Sequence, residues 1–157
     1  MSKRIDSASK QIRASASAIY RAFADREAME IWLPPQGMTG MMLAFAFHEG
    51  GSYRMRLAYG EPHRATGKTS SNFDEVNVRY VRLVPNRCIE QAVTFDSDNP
   101  QFSGEMRLTW TLDAENGATL VTVRCEDVPE GIRPEEHEVG LKSTLDNLAA
   151  FVEGHGK

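Results

Sequence analysis

Four histidines (His48, His63, His137, His155), two cysteines (Cys88, Cys125) and a scatter of carboxylates are the residues here that could bind metal, attack a carbonyl or move protons. A structural or catalytic metal needs three or four ligands, usually announced by pairs at short spacing. No histidine of this chain has a second ligand at i+4, and the two cysteines stand far apart, so no metal site, disulfide framework or cofactor is expected. His137 is the histidine to follow, because it falls in the first turn of a long predicted helix. A nucleophilic cysteine needs a base and an electropositive setting. Both thiols fall on predicted strands, where buried, inert groups are expected. No nucleophile elbow precedes a Ser-Asp-His order. Glu90, Asp96, Glu105 and Tyr80 are titratable groups near strand interiors, without a partner placed for general acid–base work. The run Thr66-Gly67-Lys68-Thr69-Ser70 is similar to the end of a phosphate loop. Pro62 occupies the position of its required first glycine, and a strand rather than a helix is predicted from Phe73, so a polar loop is the better reading.

What remains is an apolar set that alternates with polar residues: Met41, Phe45, Tyr53, Met55, Tyr80, Phe95, Met106 and Trp110. Methionine and aromatic side chains fill cores, and they also line pockets for apolar molecules. Tyr53, Tyr80, Gln91 and Arg82 are the polar groups that could orient such a molecule, depending on strand register.

The elements that would hold these residues follow from periodicity. Arg4–Arg13 could form a first strand. Ser15 or Ser17 caps a helix carrying Ile19, Tyr20, Ala22 and Phe23, and Asp25 caps a second turn with Ala28, Met29, Ile31 and Trp32, ended by Leu33-Pro34-Pro35. From Met41 the period becomes two. Met41, Leu43, Phe45 and Phe47 are read as one face of a strand, followed by a His48-Glu49-Gly50-Gly51 turn and the alternation Tyr53, Met55, Leu57 against Arg54, Arg56. A polar connection, Ala58–Asn72, leads to strands over Phe73–Val84, Ile89–Phe95, Met106–Asp113 and Ala118–Cys125, with Asn116-Gly117 as a type I′ hairpin turn. Pro134–Gly154 is the one long amphipathic helix, with Leu141, Leu145, Leu148 and Val152 on its apolar stripe and Gly154 as its C-cap. Strands followed by a lone helix predict an α+β fold, the helix packed on the sheet.

At 157 residues, one domain over 1–157 is expected. A net charge of −4 without like-charge blocks points away from nucleic acid, and the absence of an eighteen-residue apolar run points away from membrane insertion. Two unpaired cysteines and no apolar leader suggest a reducing cytoplasm.

Element order and particular residues together resemble the START-like (SRPBCC, polyketide cyclase-like) superfamily. Within it, the chain is most similar to the AHSA-like family, named for the activator of the ninety-kilodalton heat-shock protein's ATPase. The matching features are Ala16–Ala24 running into Asp25 and Trp32-Leu33-Pro34-Pro35, then Gly50-Gly51-Ser52-Tyr53-Arg54 and Leu83-Val84-Pro85-Asn86-Arg87-Cys88-Ile89. Asp127-Val128-Pro129-Glu130-Gly131 follows, with His137, Gly140 and Leu141 after it. Leu141, where relatives tend to have Trp, and Cys88, where they have an apolar residue, are departures. The resemblance implies a helix-grip fold: a curved antiparallel sheet of six to seven strands around the C-terminal helix, with two short helices after the first strand. It implies a cavity between sheet and helix, with Trp32, Phe45, Tyr53, Met55, Tyr80, Gln91, Trp110, Leu141, Leu145 and Leu148 as lining candidates. Binding of a small hydrophobic molecule, without an assigned reaction, is the first functional reading. A cyclase or hydrolase using the same pocket is the second, and modulation of a chaperone ATPase the third. Exposed edge strands leave room for a homodimer.

Overall fold

Two side-chain caps begin the helical segment of the computed structural model, which describes residues 5–34, 38–59, 73–95, 104–129 and 131–155. The Ser15 hydroxyl accepts from the Ala18 N–H at 3.1 Å and opens α1 (Ala16–Ala24). Asp25 leaves the helical conformation and accepts from the N–H groups of Glu27 and Ala28 at 2.9 and 3.3 Å, opening α2 (Arg26–Trp32). Both caps satisfy donors that a helix start otherwise leaves unpaired. The strands are β1 (Ile5–Ile12), β2 (Met38–Phe45), β3 (Ser52–Tyr59), β4 (Phe73–Val84), β5 (Cys88–Phe95), β6 (Met106–Glu115) and β7 (Ala118–Glu126), followed by α3 (Pro134–His155). They form one antiparallel sheet in the order β1-β7-β6-β5-β4-β3-β2, curled around α3 as a helix-grip fold requires. Asn116 and Gly117 turn β6 into β7 with φ of 44° and 85°, the double positive φ of a type I′ turn.

Three expectations are corrected. Met41 and Leu43 do not share the inner face with Phe45, being 57% and 39% exposed. A bulge between Met42 and Ala44 shifts the alternation, so Met42 and Phe45 point inward, opposite Met55 and Tyr53. The bulge is held from α2: Glu30 accepts from the Met42 N–H at 2.6 Å, and Arg26 donates to the Met42 carbonyl at 2.7 Å. Gly154 is not a cap, since α3 runs through it to His155. Arg82 stands exposed on the outer face, paired with Glu90, because a second bulge separates it from Tyr80. The connection with the Thr66–Ser70 run, and Asp96, lie outside the described residues.

The two faces of the sheet differ in chemistry. Outside, the buried Glu75 carboxylate accepts from Arg54 and Arg56 at 2.7 and 2.6 Å, Arg79 pairs with Glu105, and Arg107 with Glu90. Inside, Val78, Ile89, Val93, Trp110, Leu112, Val121 and Val123 meet the buried stripe Leu141, Leu145, Leu148 and Val152 of α3. Polar ties hold α3 along its length. Lys10 pairs with Asp146 at 3.1 Å, Asn147 donates to the Pro34 carbonyl at 2.9 Å, and Glu153 accepts from the Arg13 N–H at 3.0 Å.

Candidate functional site

Registered pairing places Tyr80, Gln91, Leu108 and Cys125 in one row across the inner face of β4, β5, β6 and β7. Above its β4 end lies a ring of aromatic side chains. Phe47 meets Tyr80 edge-on at 5.0 Å, Tyr20 of α1 meets Phe47 at 5.5 Å, Tyr53 tilts against Tyr80 at 5.8 Å, and Phe45 flanks Tyr53 at 6.5 Å. A second aromatic cluster, Phe23, Trp32 and Trp110, packs edge-to-face with centroids 4.8 to 5.9 Å apart. Gln91 lies between the two clusters, and its Oε1 accepts from Trp110 Nε1 at 3.3 Å. Trp32 Nε1 donates to the Ala22 carbonyl at 3.0 Å.

Tyr80 breaks this pattern of satisfied polar groups. It is 1% exposed, and its hydroxyl has no hydrogen-bond partner among the described residues. Its backbone is fully paired, with its N–H donating to the Gly51 carbonyl and its carbonyl accepting from the Gly50 N–H, both at 2.9 Å. Gly51 must be glycine, since a Cβ there would stand 2.4 Å from the Ala46 carbonyl oxygen. The tight turn thus fixes the strand position of Tyr80 while its hydroxyl stays unpaired among the described residues. Burial, then the neighbouring Tyr53 and Tyr20, pushes the Tyr80 phenol far above its ordinary value, and burial alone does the same for Tyr53. For Tyr20 the smaller rise comes from burial, then Glu49, then Cys88. At neutral pH all three are neutral hydroxyls, able to donate or accept.

All ten lining candidates face the interior. Trp32, Tyr53, Met55, Tyr80, Gln91, Trp110, Leu141, Leu145 and Leu148 are buried, and Phe45 is partly buried against them. Trp32 and Trp110 are drawn into the packed cluster with Phe23, away from the tyrosine ring. Tyr20 and Phe47 were not among the candidates. The helical i, i+3 spacing of Tyr20 with Phe23 was a usable signal, whereas Phe47 lies beyond the end of β2. A shallow cleft of about 170 Å³ between α1, α2 and the end of α3 lies elsewhere, lined by Ala18, Arg21, Asp25 and Phe151. Glu90 and Glu105, the candidate acids, stand outside in ion pairs with arginines. Among the described residues no cluster of three or more His, Cys, Asp or Glu side chains could hold a metal. None of the helices is long and apolar enough to cross a membrane, among the described residues.

Comparison with known proteins agrees with the fold. A family model described as activator of Hsp90 ATPase homolog 1-like protein matches residues 13–153. A crystal structure of a Chromobacterium violaceum protein is similar at a TM-score of 0.83 and 29% identity, over 95% of this chain and 96% of that one. The solution structure of an AHSA1-like protein from Aeromonas hydrophila gives 0.70 at 16% identity, over 96% and 94%. DynU16, from the dynemicin biosynthetic locus, gives 0.68 at 18% identity, over 96% of this chain and 48% of that one. The latter two show likeness of fold. No curated protein matches the chain.

Proposed function

The chain belongs to the activator of Hsp90 ATPase homolog 1-like family, and from that premise we propose that it binds a small, mainly apolar, uncharged molecule between its sheet and α3. The observation that carries this is the buried Tyr80 hydroxyl, without a partner among the described residues, under a ring of Tyr20, Phe45, Phe47 and Tyr53. A buried hydroxyl without a hydrogen bond costs about 1–3 kcal/mol, and a ligand oxygen or nitrogen at that point would remove the cost. The aromatic edges supply apolar contact area, and Met42 and Met55 beside them can adapt their shape. The preference for an uncharged ligand follows from the faces of the sheet. The arginines of β3, β4 and β6 point outward, and the interior polar groups named here are neutral.

Native mass spectrometry of freshly purified protein tests this. Expected is a retained small molecule that survives gentle desolvation in wild type and is depleted in Tyr80→Phe. No retained mass, together with no thermal shift from a panel of long-chain alcohols, ketones and aromatic polyols, would overturn it.

A further inference from the structure

We propose that Cys125, His137 and Asp6 form a thiol acyl-transfer site that acts on thioesters or activated esters. Three separate elements converge there. Cys125 of β7 and Asp6 of β1 are registered partners, and His137 reaches them from the first turn of α3. His137 Nδ1 lies 2.6 Å from Asp6 Oδ2, and His137 Nε2 lies 3.8 Å from Cys125 Sγ. Against a carboxylate, Nδ1 carries a proton and donates to Asp6. In the neutral imidazole Nε2 then presents its lone pair to the thiol, the orientation a general base needs. Asp6 acts through the histidine and is a positioning residue.

A purely packed wall does not call for this arrangement. Val121 and Val123 hold the preceding inward positions of β7. The other thiol, Cys88, has Arg82 and Glu90 as its charged neighbours. Cys125 itself is 0% exposed, while the His137 and Asp6 side chains keep 13% and 15% of their surface. A substrate must therefore present a small or flexible acyl group past that rim.

The chemistry balances without a further oxidant or cofactor. Cys125 Sγ attacks the acyl carbon and the new C–S bond forms as His137 Nε2 takes the thiol proton. The bond to the leaving thiolate or alkoxide breaks as His137 returns that proton to it. Water, deprotonated by the same nitrogen, then attacks acyl-Cys125, releasing a carboxylic acid and restoring the thiol. A thioester substrate suits the site because its acyl group passes from one sulfur to another with little change in bond energy.

The inference needs only these three side chains and stands apart from ligand binding under Tyr80. Its test is p-nitrophenyl acetate added to the native protein, with p-nitrophenolate release followed optically and the acetyl group located by peptide mass spectrometry. Expected is a burst of one equivalent, with the acetyl group on Cys125 and not on Cys88. Cys125→Ser and Cys125→Ala abolish the acetyl-thioester, Cys88→Ala leaves the burst unchanged, and His137→Gln slows it about a hundred-fold. Asp6→Asn lowers the burst rate but not its amplitude. Thermal melts confirm that each variant folds, and the mapping of label between the two thiols of the wild type needs no variant. Acetylation confined to Cys88 or lysines, or an unchanged rate in folded His137→Gln, would overturn it.

Discussion

Replacing Tyr80 by Phe removes one oxygen from the interior and nothing else. In ligand-free protein that oxygen is desolvated and unpaired among the described residues, so its loss relieves a cost instead of breaking a bond. The relief is about 1–3 kcal/mol on the scale of buried hydroxyls lacking a partner. The unfolding entropy of a 157-residue chain is about 0.33 kcal/mol/K near 60 °C, so the gain raises the melting temperature by about 3–9 °C. In protein saturated with a ligand that pairs with the hydroxyl, the sign reverses, because the variant forfeits a hydrogen bond of about 0.5–1.5 kcal/mol. Taken together with the ligand-free gain, binding weakens by about 1.5–4.5 kcal/mol, a factor of about 10 to 2000 in affinity. Differential scanning calorimetry of delipidated wild type and Tyr80→Phe measures the first effect, and titration with the molecule found by native mass spectrometry measures the second. A ligand-free variant less stable than wild type by more than about 1 kcal/mol would show that the hydroxyl already has a partner, and would remove the basis of the binding proposal.

Two further perturbations probe the frame. Glu75→Gln loses the charge-assisted hydrogen bonds from Arg54 and Arg56 and is expected to destabilise the fold by about 1–3 kcal/mol at pH 7. Hydrogen bonds from Arg56 and then Arg54 hold the Glu75 carboxyl below its ordinary value, so this contribution is present above the unfolded pKa. It is lost as pH falls from the ordinary carboxylate range through the lowered folded value, and urea midpoints of the two proteins should converge there. Leu148→Ala, at a fully buried position of α3, is expected to cost about 2–5 kcal/mol, read as a fall in the guanidinium midpoint. A cost below about 1 kcal/mol would mean that the space around Leu148 is loosely filled.

Much of the frame was legible because its causes are local. Ser15 and Asp25 announce helix starts by bonding N–H groups two or three residues on. Asn116-Gly117 announces a hairpin through its own φ angles. The i, i+4, i+7 spacing of Leu141, Leu145 and Leu148 marks the buried stripe of α3 without knowledge of its partner. The errors in strand faces came where one residue is inserted. A strand face is read by counting in twos, and the bulges at Met42/Ala44 and Tyr80/Arg82 change the count. That is why Met41 turned out exposed and Arg82 fell outside.

The amino-acid sequence, by periodicity and cap chemistry alone, determined the elements, their order, and hence a helix gripped by an antiparallel sheet. Only the tertiary structure decided which side chains meet. Asp6 and His137 are 131 residues apart, and no local spacing could place them 2.6 Å from one another with Cys125 behind. Tyr80 likewise reads as one more inward aromatic until the register sets Gln91 beside it, engages Gln91 with Trp110, and leaves the phenol oxygen without a partner among the described residues. Such sites depend on distances between chain-distant atoms, which strand register, bulges and the seating of α3 set together. Local sequence energies act over a few residues and cannot fix them.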